Sequence, residues 1–498
     1  MTSRPLEVLV SVDRESPRTL GRQIEDQLRN AIRDLTLRPG ARLPSTRDLA
    51  RELGVSRPIV VDAYAQLAGE GYLELRPGTR PRVTGCAGPC QPPTTLRPEP
   101  ASEPHYDLRP GAPDLSTFPR SAWLRSLRDA LAGMRDGDFG YSDPHGSEVL
   151  RLALRDYLGR VRGVVAVAGR VVVTSGWCQG RTLLCHALVA LGARRIAVED
   201  PCHDEVRVSC ASAGLEMVPV PVDGEGLRVD VLDRTAVDAV LVTPAHQYPM
   251  GAVMSGARRG ALLDWLRRRE ALAIEDDYDA EFRYDRAPVG ALQGMDPERI
   301  VYAGTASKTL APAMRLGWLV VPPRLLSQVH WQQRQADFGV SRIEQHAFAD
   351  FLSRGELDRH LRRMRVRYRS RRDALVEALS EELPEVRVHG IRAGLHVTIQ
   401  LRDGDRGRVI RDEAARRGVA LTALSDYYLD RGEDSSMLLL GYARCPEGII
   451  RAGVRELAAA VRAARAPSRL GAKPADNPRR LSTSRAPAAT SGTVGPSR

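Results

Sequence analysis

At 498 residues, with 43% hydrophobic and 27% charged side chains, the chain has a globular composition and is too long for one ordinary domain. Its formal charge of +11 permits an anionic partner without naming one, because Arg-rich, Lys-poor usage also follows from genome base composition. No run approaches the roughly 18 apolar residues of a membrane span, the start lacks a secretory apolar region, and the seven cysteines form no C-x-x-C pair. A membrane protein, a disulfide framework and a zinc ribbon are disfavoured, and a reducing cytoplasm is expected.

Residues 12–84 read as one small unit. Leu20, Ile24, Leu28 and Ile32 recur at helical spacing and predict a first amphipathic helix. Pro39, Gly40 and Pro44 break it. Ser45 then caps a second helix ending at Gly54, and Ser56 caps a third, with Pro58 in its first turn and Gly71 at its end. The segments YLELR and RPRV flank Pro77 and Gly78 and predict a β-hairpin. Together these elements make a small α+β winged helix-turn-helix pattern. Arg47, Ser56 and Arg57 stand at helix starts, where backbone N–H groups and guanidinium forks favour phosphate. The unit carries thirteen Arg against ten Asp and Glu, so its charge decides little, and the pattern alone also suits a protein-interaction module.

Residues 85–106 are crowded with proline and predict an extended linker. From 107 to 466, apolar runs (VVVTSG, RRIAVED, AVLVTP, ALAIEDD, RIVYAG, LGWLVV) alternate with helical stretches. That alternation predicts a large α/β domain with a mostly parallel sheet covered on both faces. Residues 467–498 hold almost no large apolar side chain and are expected to be disordered.

Lysine usage points to chemistry. The only lysines are Lys308 and Lys473, and Lys473 falls in the expected tail. Arginine serves surface charge equally well, but Schiff-base chemistry needs a primary amine that can lose its proton. Lys308 lies in GTASKTLAPAMRLGW, just after the strand-like RIVYA, and is predicted to carry pyridoxal 5′-phosphate as a Schiff base. Such a cofactor needs an acid opposite its ring nitrogen. The run IEDDYD ends a predicted strand with carboxylates, of which Asp276 is chosen, while Tyr278 hydrogen-bonds the cofactor's phenolic oxygen. The phosphate needs N–H groups at a helix start plus a cation. Ser175, Gly176 and Trp177 supply the first, and Thr305, Ser307 and Arg315 supply hydroxyls and a guanidinium.

The string RLPSTRDLARELGVSRPIVVDAYAQLAGEGYLELRPG resembles the GntR family of winged-helix repressors. The resemblance implies that Arg47, Ser56 and Arg57 contact operator DNA and that Gly78 shapes the wing. It departs at Ile59, where the family usually has Thr, and in the wing RPGTRPRV, which passes minor-groove contact to Arg80 or Arg82. Residues 107–460 resemble a fold-type I aminotransferase domain of the MocR/PdxR branch, on strings such as GAPDLSTFP, YSDPHG, VEDP, TPAHQYPMG and IEDDYDAEFRY. This implies a head-to-tail homodimer in which Tyr141 reaches the neighbouring subunit's cofactor phosphate, with His246 and Gln247 beside the ring. The stacking residue, usually Tyr in this branch, is His203 here. The Arg with which aminotransferases bind a substrate carboxylate falls at Leu438 in an ungapped alignment, and Arg444 is the nearest candidate.

The basic run HLRRMRVRYRSRR (360–372) suits either a nucleic-acid patch or a solvated, partly ion-paired helix face, and no metal-ligand spacing occurs. The expectation is a cytoplasmic transcriptional regulator that senses pyridoxal phosphate or an amine-bearing effector by imine exchange at Lys308. The alternative is an active aminotransferase regulated by its DNA-binding unit.

Overall fold

The computed structural model describes residues 10–85 and 104–465, apart from 142, 285–288, 391–392, 431 and 433. The expected linker of 85–106, except for its ends, and the expected disordered tail of 467–498 lie outside the described residues. The chain divides into two units, Met1–Ser102 and Glu103–Arg498.

In the first unit, α1 (Leu20–Arg33) buries Ile24, Leu28, Ala31 and Ile32, the face its 3.6-residue spacing predicts. The second helix, α2 (Thr46–Glu52), starts at Ser45, whose hydroxyl accepts from Asp48 N at 3.2 Å. The third, α3 (Arg57–Gly69), buries Val60, Ala63, Tyr64 and Leu67 against the same core. The hairpin is shorter than its two predicted segments: only β1 (Leu73–Glu74) and β2 (Arg82–Val83) pair, and Gly78 takes a φ of +74° in the turn between them.

The second unit begins with β3 (Tyr106–Asp107), α4 (Arg120–Gly133) and α5 (Glu148–Arg162). Its large sheet is built from β4 (Val171–Thr174), β5 (Arg195–Asp200), β6 (Glu216–Asp223), β7 (Gly226–Leu227), β8 (Ala239–Val242), β9 (Leu272–Asp276), β10 (Ile300–Thr305) and β11 (Gly317–Val320). Helices α6 (Gly176–Ala190), α7 (Asp204–Ala213), α8 (Val229–Leu232), α9 (Gly256–Arg269) and the single turn α10 (Ala306–Thr309) connect the strands. The strand order is β4-β11-β10-β9-β8-β5-β6-β7. The run from β10 to β6 is parallel, as expected, but β11 lies antiparallel to both its neighbours and β7 antiparallel to β6.

Each parallel strand alternates between two apolar layers, as the two-residue period requires. Ile196, Val198, Leu241 and Ile274 face a core shared with α6 and α7, whereas Ala197, Val240, Val242 and Ala273 face one shared with α9. After α11 (Pro323–Ala336), α12 (Arg342–Ser353) and the long α13 (Glu356–Glu382), the chain forms a smaller antiparallel sheet with α14 (Gly407–Arg416) and α15 (Glu447–Arg465). Its strands are β12 (Arg387–His389), β13 (His396–Gln400), β15 (Thr422–Ala423) and β16 (Met437–Gly441), while β14 (Val419–Ala420) pairs with β3.

The basic run of 360–372 lies within α13. His360, Leu361, Met364, Tyr368 and Arg371 are buried, and Arg367 and Arg371 both pair with Asp114, so the run is a packed, ion-paired helix.

Candidate functional site

The carboxyl ends of the parallel strands open onto one cavity of about 480 Å³. Strand order reverses between β5 and β8, and such a switch point in an α/β sheet leaves a crevice for ligand. Asp276 ends β9, Lys308 lies in α10 just beyond β10, Trp177 opens α6 after β4, and His203 precedes α7 after β5. All four line the cavity, together with Tyr278, Thr305, Ser307 and Arg315. Residues scattered from Trp177 to Arg315 in the sequence therefore meet at one sheet edge.

Strand alternation decides which acid of IEDDYD enters the cavity. Glu275 points to the α9 layer and accepts from Leu292 N and Gln293 N, both at 2.8 Å. Asp277 is also buried, gripped by Arg162 through Nε at 2.7 Å and Nη2 at 3.2 Å, with Tyr302 Oη donating to it at 2.8 Å. Asp276, between them, faces the cavity and makes no side-chain hydrogen bond among the described residues. Burial pushes its carboxyl up to about 7, against the pull of Arg181.

Lys308 donates from Nζ to Gly111 O, and burial lowers its amine against the opposing charges of Asp279 and Asp276. An amine so placed loses its proton more readily than a surface lysine. Tyr278 Oη lies 3.0 Å from His246 Nδ1, which is itself 3.0 Å from Asp279. With that ring N–H committed to Asp279, the phenol keeps its own proton to donate into the cavity.

At the other end of the cavity the first turn of α6 leaves the N–H groups of Gly176 and Trp177 without intrahelical partners. Arg315, held at a φ of +44°, donates to Ser175 O at 2.7 Å, and its guanidinium lies where a Cβ on Gly176 would approach to 3.5 Å. Thr305 Oγ1 caps α10 by accepting from Ser307 N at 3.2 Å. Trp177, Thr305, Ser307 and Arg315 line this end of the cavity, with Ser175 and Gly176 adjoining but not lining it, and their N–H, hydroxyl and guanidinium groups make an anion cup.

Not every predicted residue meets there. His246 and Gln247 are buried behind the cavity wall. Gln247 donates to Glu199 at 3.2 Å, Pro201 O at 3.1 Å and Tyr248 O at 2.8 Å, which ties the loop after β8 to β5. His203 reaches the cavity, but its Nδ1 also accepts from Glu205 N at 3.2 Å as the cap of α7. Tyr141 is fully exposed and lies outside the cavity of its own chain. Leu438, Leu439 and Leu440 are all buried on β16, so this strand turns no guanidinium to the site, and Arg444 pairs with Asp107.

Several lining residues had no sequence signal. His396 and Tyr427 come from the small sheet and its adjoining segment. Burial, then His246, drives His396 down to about 3, so it is neutral there. Tyr248 and Tyr427 pair through their hydroxyls at 2.8 Å. Glu199 accepts from Thr243 Oγ1 at 2.5 Å, and burial raises it to about 7. Arg181 had one legible cue: it occupies the stripe of Leu184 and Leu188, where helical spacing calls for an apolar side chain.

In the first unit Arg47, Ser56, Arg57, Gly78 and Arg80 are all exposed. The Ser56 hydroxyl makes no cap hydrogen bond, whereas Arg57 Nε reaches Thr46 Oγ1 at 3.4 Å and links the starts of α3 and α2.

The site and the fold define a class: a winged-helix unit joined to a pyridoxal phosphate-binding domain. An unpartnered acid, a buried amine and an anion cup on one cavity fit the ring nitrogen, carbonyl and phosphate of that cofactor. The model for aminotransferase class I and II matches residues 107–430, and the model for bacterial regulatory proteins of the gntR family matches residues 20–83. The chain is 34% identical over 458 residues to the HTH-type pyridoxine biosynthesis transcriptional regulator PdxR of Corynebacterium glutamicum, covering 91% of this chain and 98% of that one. It is 31% identical over 475 residues to the probable rhizopine catabolism regulatory protein MocR of Rhizobium meliloti, covering 91% and 96%. Among solved structures, the multiple substrate aminotransferase of Thermococcus profundus superposes with a TM-score of 0.67 at 27% identity, over 73% of this chain and 93% of that one. The chain belongs to the GntR-family transcriptional regulators that carry an aminotransferase class I and II domain.

The Arg162–Asp277 pair is fully buried on both sides. Arg162→Met leaves a buried carboxylate unpaired and should destabilise the large unit by about 3–5 kcal/mol. Arg162→Met combined with Asp277→Leu should recover much of that loss. Denaturant midpoints of the two variants check both expectations.

Proposed function

We propose that this regulator senses pyridoxal 5′-phosphate or an amine-bearing effector at Lys308 and adjusts its hold on operator DNA accordingly. One observation carries the reading: the only lysine of the described residues is half-buried in the cavity that holds Asp276 and the anion cup. When bound, the cofactor supplies a carbonyl carbon that condenses reversibly with primary amines. Lys308 would be the amine that holds it, in competition with an amine-bearing effector. Asp276 would hold the ring nitrogen's proton, Tyr278 would donate to the phenolic oxygen, and His203 would stack on the ring. Ser175, Gly176, Trp177, Thr305, Ser307 and Arg315 hold the phosphate. His246 and Gln247 act from behind the wall by orienting Tyr278 and the loop after β8.

Residues 12–84 bind DNA, with Arg47, Ser56 and Arg57 on the backbone and major groove and Gly78 and Arg80 at the wing. The Pro-rich stretch of 85–106 serves as a linker to the domain of 107–466, and 467–498 is a tail. Exposed Leu115, Leu124, Phe139 and Tyr141 near the start of the second unit support a head-to-tail homodimer, in which Tyr141 reaches the partner's phosphate site. A DNA-binding role places the protein in the cytoplasm. The aminotransferase alternative is disfavoured by the apolar β16, because a leucine cannot replace a guanidinium clamp on a carboxylate.

Titrating the protein onto its adjacent intergenic DNA, with and without pyridoxal phosphate and then with candidate amines, tests the reading. Affinity or footprint should shift for the unaltered protein and stay fixed for Lys308→Ala. An equal response from both removes Lys308 from the sensing step. Arg47→Ala should weaken binding to every sequence tested and reduce the slope of log affinity against log salt by about 1.

A further inference from the structure

Asp276 is the only cavity acid aimed at the cofactor's ring nitrogen in this reading, and what keeps it charged bears on how the site loads. Asp276 follows Ile274 by two residues on β9, so both side chains lie on the α6 and α7 face of the sheet. Arg181 precedes Leu184 and Leu188 by three and seven residues on α6, so it lies on the stripe that packs against that face. Sheet and helix therefore bring one acid and one guanidinium to the same wall of the cavity, and both line it.

Arg181 is almost wholly buried and firmly held. Its Nε donates to Ser209 Oγ at 2.8 Å, its Nη2 reaches Glu205 Oε2 at 3.2 Å, and its guanidinium lies 5.8 Å from the Trp177 ring centre. Nη1 has no hydrogen-bond partner among the described residues, and neither has the Asp276 carboxylate. The Glu205 side chain is 60% exposed, so solvent screens much of its claim on the buried cation.

We infer that Arg181 is a positioning residue for the cofactor, holding Asp276 in its ionised form so that the carboxylate can receive the protonated ring nitrogen. The inference rests on the pyridoxal phosphate reading of the cavity. Burial acts most strongly on Asp276 and raises it, as do the neighbouring Asp277 and Asp279; Arg181 on α6 is the largest of the charges and, with Lys308 on α10, pulls it back down. Glu199 on β5 and His203 before α7 face the same cavity. A protonated Asp276 must release its proton before it can pair with a protonated ring nitrogen. Affinity for pyridoxal phosphate therefore falls as pH drops through about 7, the value to which Asp276 is raised. Removing the Arg181 charge raises Asp276 further, so the fall begins at higher pH.

The test is pyridoxal phosphate binding to the full chain, followed by visible absorption from pH 6 to 9 on the order of one unit per step. The midpoint of the affinity loss should move up by about one pH unit in Arg181→Met. Arg181→Lys, which keeps the charge, should restore it. Arg181→Gln, which keeps a polar contact to α7 without the charge, should behave like Arg181→Met and replaces it if that variant fails to fold. The cofactor's own titrations are common to all these proteins and cancel in the comparison. An affinity lowered by one factor at every pH marks a merely structural role and overturns the inference, as does an unmoved midpoint. Absence of binding by the unaltered protein overturns the cofactor reading and this inference together.

Discussion

The buried ion pair of Arg162 with Asp277 is the constraint on which the site depends. Three consecutive acids, Glu275 and Asp276 at the end of β9 and Asp277 just beyond it, would in isolation repel one another and favour water over a protein interior. Arg162 takes one of them with two hydrogen bonds, and a phenol completes that acid's shell. Two backbone N–H groups take another. The strand is thereby locked in register, and its two-residue period leaves Asp276 alone on the opposite face. A buried pair of this kind is weak evidence for added stability. Its value lies in specifying which carboxylate the cavity receives.

The other parts of the cavity follow from the same sheet edge. Strands β4, β5, β8, β9 and β10 each end at the cavity, and each is followed by a turn that contributes a polar group. Glycines admit the close approaches this requires: a Cβ on Gly317 would meet Gly176 at 3.0 Å, at the foot of the anion cup. The second sheet and its adjoining segment add neutral hydrogen-bonding groups, His396 and Tyr427, and no cation from β16. The outcome is a cavity equipped to hold a phosphate, a ring nitrogen and an amine, with an aromatic, largely neutral wall opposite.

Much of this was legible in the sequence, because the informative residues lie in short motifs tied to strand ends. Ser45, Gly71 and the spacing of Ile24, Leu28 and Ile32 give the winged-helix unit from local chemistry alone. The lysine census singles out Lys308 because arginine supplies nearly every other cation. The antiparallel placement of β11 was not legible, since an apolar strand reads the same in either direction. Nor were His396, Tyr427 and Tyr248, whose roles come from contacts across as many as 179 residues of sequence. Gln247 was drawn to the ring by resemblance, and the structure turns it to the strand behind.

The most direct measurement of the central claim uses the same scarcity of lysine. The purified protein, loaded with pyridoxal phosphate, is reduced with borohydride, digested and mapped by mass spectrometry. One stable pyridoxyl adduct is expected, on the peptide containing Lys308, with Lys473 unlabelled. Labelling at Lys473 alone, or no adduct after saturation, would contradict it.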